Sequence, residues 1–313
     1  MPEEQNVEGD RWLDKAIEIL NALGWVQGGD KKVDIFSQKM NKQYGIDAYF
    51  TYYDPYEASD IGVIIEAKSR QWQSVNLSLI RGTSSKMVEV LQEVPLSDEF
   101  ENKLNFNKAC KVNTGFILLW TNDFNYDHDK FIEYLQKTHI PKKHQSQRIF
   151  IASNEELLRF CSIVETSEEL VRNSENSSEQ FRYYYPSLTG TANEPKRMKH
   201  LTLEYLYSKY IFGKMQIIES VGGTSVSKKI TVVLYNDSII LPALKLMYNA
   251  LLLFQLLDVQ EVWVYFYESD VNHRSDIEEF DRYVTSEEKQ VGFKFKQMKR
   301  IDRDVYLWGH QND

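Results

Sequence analysis

The chain has 313 residues, of which 42% are hydrophobic and 13% aromatic, enough for a packed core and too many for a disordered chain. Its formal net charge of −9 argues against a protein that grips nucleic acid by long-range attraction, and most of the acidic excess falls before residue 190. The longest apolar candidate for a membrane span, Leu241 to Leu257, is broken by Pro242, Lys245, Asn249 and Gln255.

The opening is acidic and polar (Glu3, Glu4, Gln5, Asn6) and does not read as a signal peptide. Over residues 11–23, Leu13, Ala16, Ile17, Leu20 and Leu23 recur at helical spacing, and Gly24 marks a stop. Strands are predicted at Val33–Phe36 and Ile46–Tyr53, then a turn from Asp54 to Asp60 that carries Pro55. An apolar run, Ile61–Ile65, leads into Glu66-Ala67-Lys68. A helix over 76–93 precedes a buried strand at Gly115–Trp120, a polar turn, a helix from Asp127 to Lys137 and a short strand at Ile149–Ala152. Ser153 with Glu156 forms a capping box for a helix through Phe160. Residues 166–200, polar and serine-rich with a basic cluster, read as a linker or surface excursion. Beyond it, strand Ile230–Tyr235, helix Ile239–Leu257, strand Val262–Tyr267, a charged helix at Asp276–Tyr283 and strands at Phe293 and Val305–Trp308 form a second α/β unit. The expected division is therefore 1–165, a linker over 166–200, and 201–313. The alternation of strands and helices predicts an α/β fold in both parts.

The chemistry-bearing residues are Asp47, Glu66 and Lys68. Alternate residues of a strand share a face, so Glu66 and Lys68 point the same way. If the strand holding Asp47 pairs alongside, two carboxylates and an ammonium converge. Hard oxygen donors suit Mg²⁺ or Mn²⁺, which would polarise a phosphate while Lys68 orients water and offsets developing charge. The competing reading is a surface salt bridge on a half-exposed strand. Against it, the pair terminates an uninterrupted apolar run, where charge is costly.

In this ordered context, residues 11–160 resemble the PD-(D/E)XK nuclease superfamily, nearest its Mrr-like restriction endonuclease and Holliday-junction-resolvase branch. The residues carrying the resemblance are Leu23-Gly24-Trp25 after the opening helix, Gly45-Ile46-Asp47, Ile64-Ile65-Glu66-Ala67-Lys68, the strand and turn over 115–124, and the strand and helix over 149–160. The resemblance implies a restriction-endonuclease-like mixed sheet flanked by helices, with a second, smaller α/β domain. It also implies a Mg²⁺- or Mn²⁺-dependent DNA endonuclease of bacterial anti-phage defence or restriction, with Asp47, Glu66 and Ala67 as metal ligands. Family members often carry an acid on the opening helix. The matching position is Leu13, so Asp14 is the expected fourth site residue, with Asp10 and Glu18 a turn away. The acidic balance further implies assembly with itself or with a second subunit. A non-catalytic nuclease-fold scaffold or sensor, and an RNA or tRNA nuclease, are the alternatives.

Other features carry less. Arg70, Gln71 and Trp72 could touch phosphate or stack a base, with core packing as the alternative for Trp72. The basic clusters Lys142, Lys143, His144, Arg148 and Lys196, Arg197, Lys199, His200 read equally as solvated loops. The six histidines form no zinc-like pair. Gly222-Gly223 reads as a hairpin turn, and the tyrosines at 183–185 and 205–210 as packing or interface residues. Cys110 reads as core, and with Cys161 as the only other cysteine a reducing, cytoplasmic compartment is expected.

Overall fold

The opening helix is longer than its apolar stripe. In the computed structural model, which describes residues 2–105, 107, 110–140, 147–187, 194–268, 273–286 and 291–299, helix α1 spans Pro2–Ala22. The helix extends back beyond residue 11, where no apolar periodicity announces it. Its buried stripe is Trp12, Leu13, Ala16, Ile19, Leu20 and Leu23, while Asp14 is exposed.

The chain then lays down β1 (Val26–Gln27), β2 (Val33–Ser37), β3 (Lys42–Ile46), β4 (Ala48–Asp54) and β5 (Ser59–Arg70). The single strand expected over 46–53 is in fact two, broken at Asp47. The turn expected from Asp54 to Asp60 is the loop of the β4–β5 hairpin, in which Asp54 pairs with Ser59 and the Asp54 carboxylate accepts the N–H groups of Tyr56 and Glu57. Next come α2 (Leu77–Glu93), α3 (Asp98–Leu104), β6 (Lys111–Thr121), α4 (His128–Gln136) and β7 (Arg148–Ala152). The five-stranded mixed sheet has the order β1-β4-β5-β6-β7, and β2 and β3 form a separate hairpin.

Parity along β5 decides what each side of this sheet meets. Ile61, Val63 and Ile65 lie on one side and are fully buried. Ile64, on the other, joins Met87, Val90 and Leu91 of α2, together with Tyr49 and Ile117, in one apolar cluster. Glu66 and Lys68 continue the parity of Ile64, so they emerge on the α2 side.

Helix α5 (Asn154–Asn173) starts at the expected capping box, with Glu156 accepting the Ser153 N–H at 2.9 Å, and runs well past Phe160 because Ile163, Val164 and Leu170 continue its buried stripe. The described chain divides into two compact units, residues 1–158 and 159–302. Residues 166–200, expected as a linker or excursion, instead hold the end of α5 and two strands, β8 (Arg182–Tyr185) and β9 (Lys196–Met198). Buried Tyr183, Tyr184 and Tyr185 supply the apolar area that composition concealed. Short α6 (Leu203–Leu206) leads to β10 (Tyr210–Val221) and β11 (Thr224–Tyr235), a long hairpin closed by Gly222 and Gly223, both at positive φ as a two-residue turn requires. Then follow α7 (Leu241–Leu253), β12 (Glu261–Phe266), α8 (Arg274–Ser286) and β13 (Gly292–Gln297). The second sheet is mixed and six-stranded, in the order β13-β12-β11-β10-β8-β9, with α7 and α8 as the crossovers between its parallel strands. Val305–Trp308 lie outside the described residues. Among the described residues no helix is long and apolar enough to cross a membrane.

Candidate active site

The site begins at the break between β3 and β4. Pairing of β4 with β5 stops at Ala48 and Ile65, and Asp47 takes over where the ladder ends. Its Oδ2 accepts the Ala67 N–H at 2.8 Å, and its own carbonyl accepts the Lys32 N–H at 2.9 Å. The carboxylate thus replaces a main-chain acceptor, which is why the strand is interrupted here. The N–H and C=O of one strand residue point toward the same neighbour. The Ala67 carbonyl is therefore directed to Asp47's side, where β4 offers it no partner.

Glu66 is only 5% exposed, yet its Oε1 meets the ammonium of Lys68 at 2.7 Å and that of Lys86, on α2, at 3.3 Å. Asp47 Oδ1 and Glu66 Oε2 accept no hydrogen bond among the described residues. Burial pushes the Asp47 carboxyl above the ordinary carboxylate range, and the Glu66 charge adds to this; Lys68, the Ala67 N–H and Lys86 pull the other way. A half-buried acid beside a second acid, each with a bare oxygen, is an arrangement that a cation relieves. The donors on offer are two carboxylates and a carbonyl, and no cluster of three or more acidic, histidine or cysteine side chains occurs among the described residues. That set suits a Mg²⁺-like ion, which takes one or two carboxylates and completes its shell with water and phosphate. Ala67 could serve only through its carbonyl.

Residues 1–156 match the family model described as the GAPS4 protein PD-(D/E)XK nuclease domain. These residues are a PD-(D/E)XK nuclease domain. No curated protein matches the chain. The match spans every element from α1 through β7 and therefore all of Asp47, Glu66, Ala67 and Lys68.

Around that core, the nuclease domain places the other expected residues unevenly. Asp14 forms an exposed ion pair with Lys31 and Asp10 one with Lys32, and Asp14 makes no contact with the Glu66 group. The opening-helix acid beside the strand terminus is Glu8, which sequence reading passed over. It accepts a hydrogen bond from Asn122 at 2.9 Å and lines a cleft with Ser69, Arg70 and Ser74. Trp72 packs edge-on against Tyr126 with ring centroids 5.2 Å apart, in a cluster with Leu119 and Phe131, so it is a packing residue. Arg148 pairs with Glu57, and Arg197 with Glu179, leaving neither as a bare basic patch. Lys142, Lys143 and His144 lie outside the described residues. Cys110 is buried with its Sγ 3.6 Å from the Tyr49 hydroxyl, a core thiol. Lys86 was not legible either, because nothing local to α2 says that its helix packs over Glu66.

Proposed function

We propose that the nuclease domain is a divalent-metal-dependent endonuclease that hydrolyses phosphodiester bonds of DNA in bacterial anti-phage defence, and that it works with a second subunit or a second copy. The observation that carries this reading is the pair of bare oxygens, Asp47 Oδ1 and Glu66 Oε2, held beside the Ala67 carbonyl with Lys68 at hand. When bound, Mg²⁺ or Mn²⁺ supplies Lewis-acid polarisation of the phosphate and neutralises its charge. Asp47 and Glu66 hold the ion, with the Ala67 carbonyl as third protein donor. Lys68 orients the attacking water and stabilises charge on the phosphate oxygens as it grows. The defence setting rests on the family match, and the partner on the −9 charge, which leaves the chain poor in the positive surface a lone DNA enzyme needs.

The test is cleavage of plasmid DNA with Mg²⁺ or Mn²⁺. Lys68→Ala is expected to lose at least ~100-fold in rate, the scale of positioned acid–base and charge-stabilising groups. Equal cleavage by both proteins removes Lys68 from the chemistry. The same net charge favours a second reading, a scaffold or sensor that keeps the fold without cutting. Absence of cleavage by wild type, with and without co-purifying proteins, and on an RNA panel as well as DNA, selects that reading.

A further inference from the structure

Lys86 has no part in the reading above, yet it touches its centre. Its ammonium meets Glu66 Oε1, the same oxygen that Lys68 meets. One oxygen with two cations is more positive charge than a single carboxylate needs. The two lysines also differ in setting: the Lys68 side chain is 28% exposed and that of Lys86 49%. Lys68 is the more embedded, and Lys86 stands at the wall of an open cleft.

That cleft, about 620 Å³, runs between the end of β5 and one face of α2. Its α2 wall is Ser78, Gly82 and Lys86, spaced four residues apart along a single stripe, with Thr83 alongside. A side chain at Gly82 would meet nothing within 4 Å, so this wall is open rather than packed. Across it lie Lys68 and Arg70 with Ser74 and Asn76. Three cations and several small hydrogen-bonding side chains therefore face one buried carboxylate. In a chain with net charge −9, such a lining fits the sugar–phosphate backbone of a nucleic acid.

We propose that Lys86 is an exchangeable counter-ion, which neutralises Glu66 in the free protein and transfers to a substrate phosphate when a divalent cation takes its place at the carboxylate. The inference deepens the nuclease reading and rests on it. A lysine suits the exchange because its ammonium sits on a flexible stem with three rotatable donors and needs no fixed approach geometry. The cation and Lys86 are competitors for Glu66, whereas the cation and the phosphate are both satisfied once Lys86 has moved.

This predicts opposite effects from one substitution in the full chain. Lys86→Ala should bind Mn²⁺ several-fold more tightly without nucleic acid, measured by calorimetry. With Ca²⁺ present it should bind a fluorescent DNA duplex more weakly, with the slope of log K against log salt reduced by about 0.9, the share of one phosphate contact, whereas in EDTA, where Lys86 stays on Glu66, the slope should match wild type. Lys86→Arg should restore the slope. Lys86→Met, which keeps the stem, should behave as Lys86→Ala, and thermal melting checks that both variants fold. In cleavage assays the change should appear in KM before kcat. Unchanged DNA affinity and salt slope with Ca²⁺ present, or weaker Mn²⁺ binding, would overturn the proposal. If wild type cleaves DNA while Lys86→Ala keeps wild-type binding, only the role of Lys86 falls. If wild type neither binds nor cleaves, both readings fall together.

Discussion

Two half-buried carboxylates in this chain face opposite consequences of ionisation. Asp47 ionises against burial and a neighbouring acid, so its raised pKa means that the charged form is held at a cost to the fold. The stability that its protonated form contributes is present at low pH and lost as pH rises through the raised value. Asp47→Asn keeps an oxygen for the Ala67 N–H and removes the charge. Its melting temperature at pH 7 should equal or exceed wild type while Mn²⁺ affinity drops; a melt several degrees lower would contradict this account. Glu261 is the reverse case. Burial opposes its ionisation, but hydrogen bonds from Lys228, Trp263 and Lys294 outweigh that and hold its carboxyl down at about 2. Its contribution is present above the ordinary value of 4.5 and is lost as pH falls toward 2. Glu261→Gln should therefore lower stability at neutral pH and flatten the acid limb of the unfolding profile, measured by urea titration between those pH values. One acid belongs to the proposed metal site and the other to the framework. At this scale Asp47, Glu66 and Lys68 were readable because strand alternation and one hairpin bring them together. Glu8 and Lys86 were not, because each reaches the site through the phase and placement of a whole helix. Asp14 shows the same point: the stripe through Trp12, Leu13 and Ala16 turns it out to Lys31.

The elements were legible in type and less so in extent. Periodicity located α2, α4, α7 and strands β4 to β7 and β11 to β13, since each carries a buried stripe or run, and it passed over β1, β8, β9 and β10. It overlooked α3, a seven-residue helix whose Ser97 cap and acidic first turn are present but too short to show a period. It merged β3 with β4, because a carboxylate standing in for a ladder partner leaves no trace in hydropathy. It also shortened α5, whose polar second half hides Ile163, Val164 and Leu170. The loop between β1 and β2 illustrates what only packing reveals. Gly29 lies at φ +66°, and a Cβ there would fall 2.3 Å from the Lys103 carbonyl oxygen and 2.8 Å from Leu104 Cα. Those are backbone atoms of α3 and cannot swing aside. Gly29→Ala should cost about 2 kcal/mol or more in urea unfolding. It should also reduce cleavage, because the same loop ends at Lys32, which anchors the Asp47 backbone. A neutral outcome would mean that the loop and α3 can separate freely.

For the molecule as a whole, a charge of −9 makes any hold on nucleic acid a local affair. With Lys68, Arg70 and Lys86 as the contacting cations, log K against log salt for the isolated chain should fall with a slope of about −2 to −3 on duplex DNA. A much steeper slope would show that further cations, from the second unit or a co-purified protein, share the work. Composition gave the acidic balance and the two-part organisation in outline. It could not place the boundary, because the serine-rich polar sequence before Phe181 reads as a tether, and tyrosines read as packing residues do not by themselves announce the strand they form.

Trp12 and Trp120 lie fully buried with ring centroids 5.6 Å apart and planes within 24°, and the Trp12 indole donates to the Leu118 carbonyl at 3.1 Å. Leu118 is the β6 residue opposite Ala67 in the sheet. Two indoles stacked this closely couple their electronic transitions, so the nuclease domain carries an intrinsic exciton signature in circular dichroism. Trp263 in the second unit has lysines over its ring instead of another indole, and adds no such couplet. Thermal loss of the couplet therefore times the melting of the nuclease domain by itself, without a label.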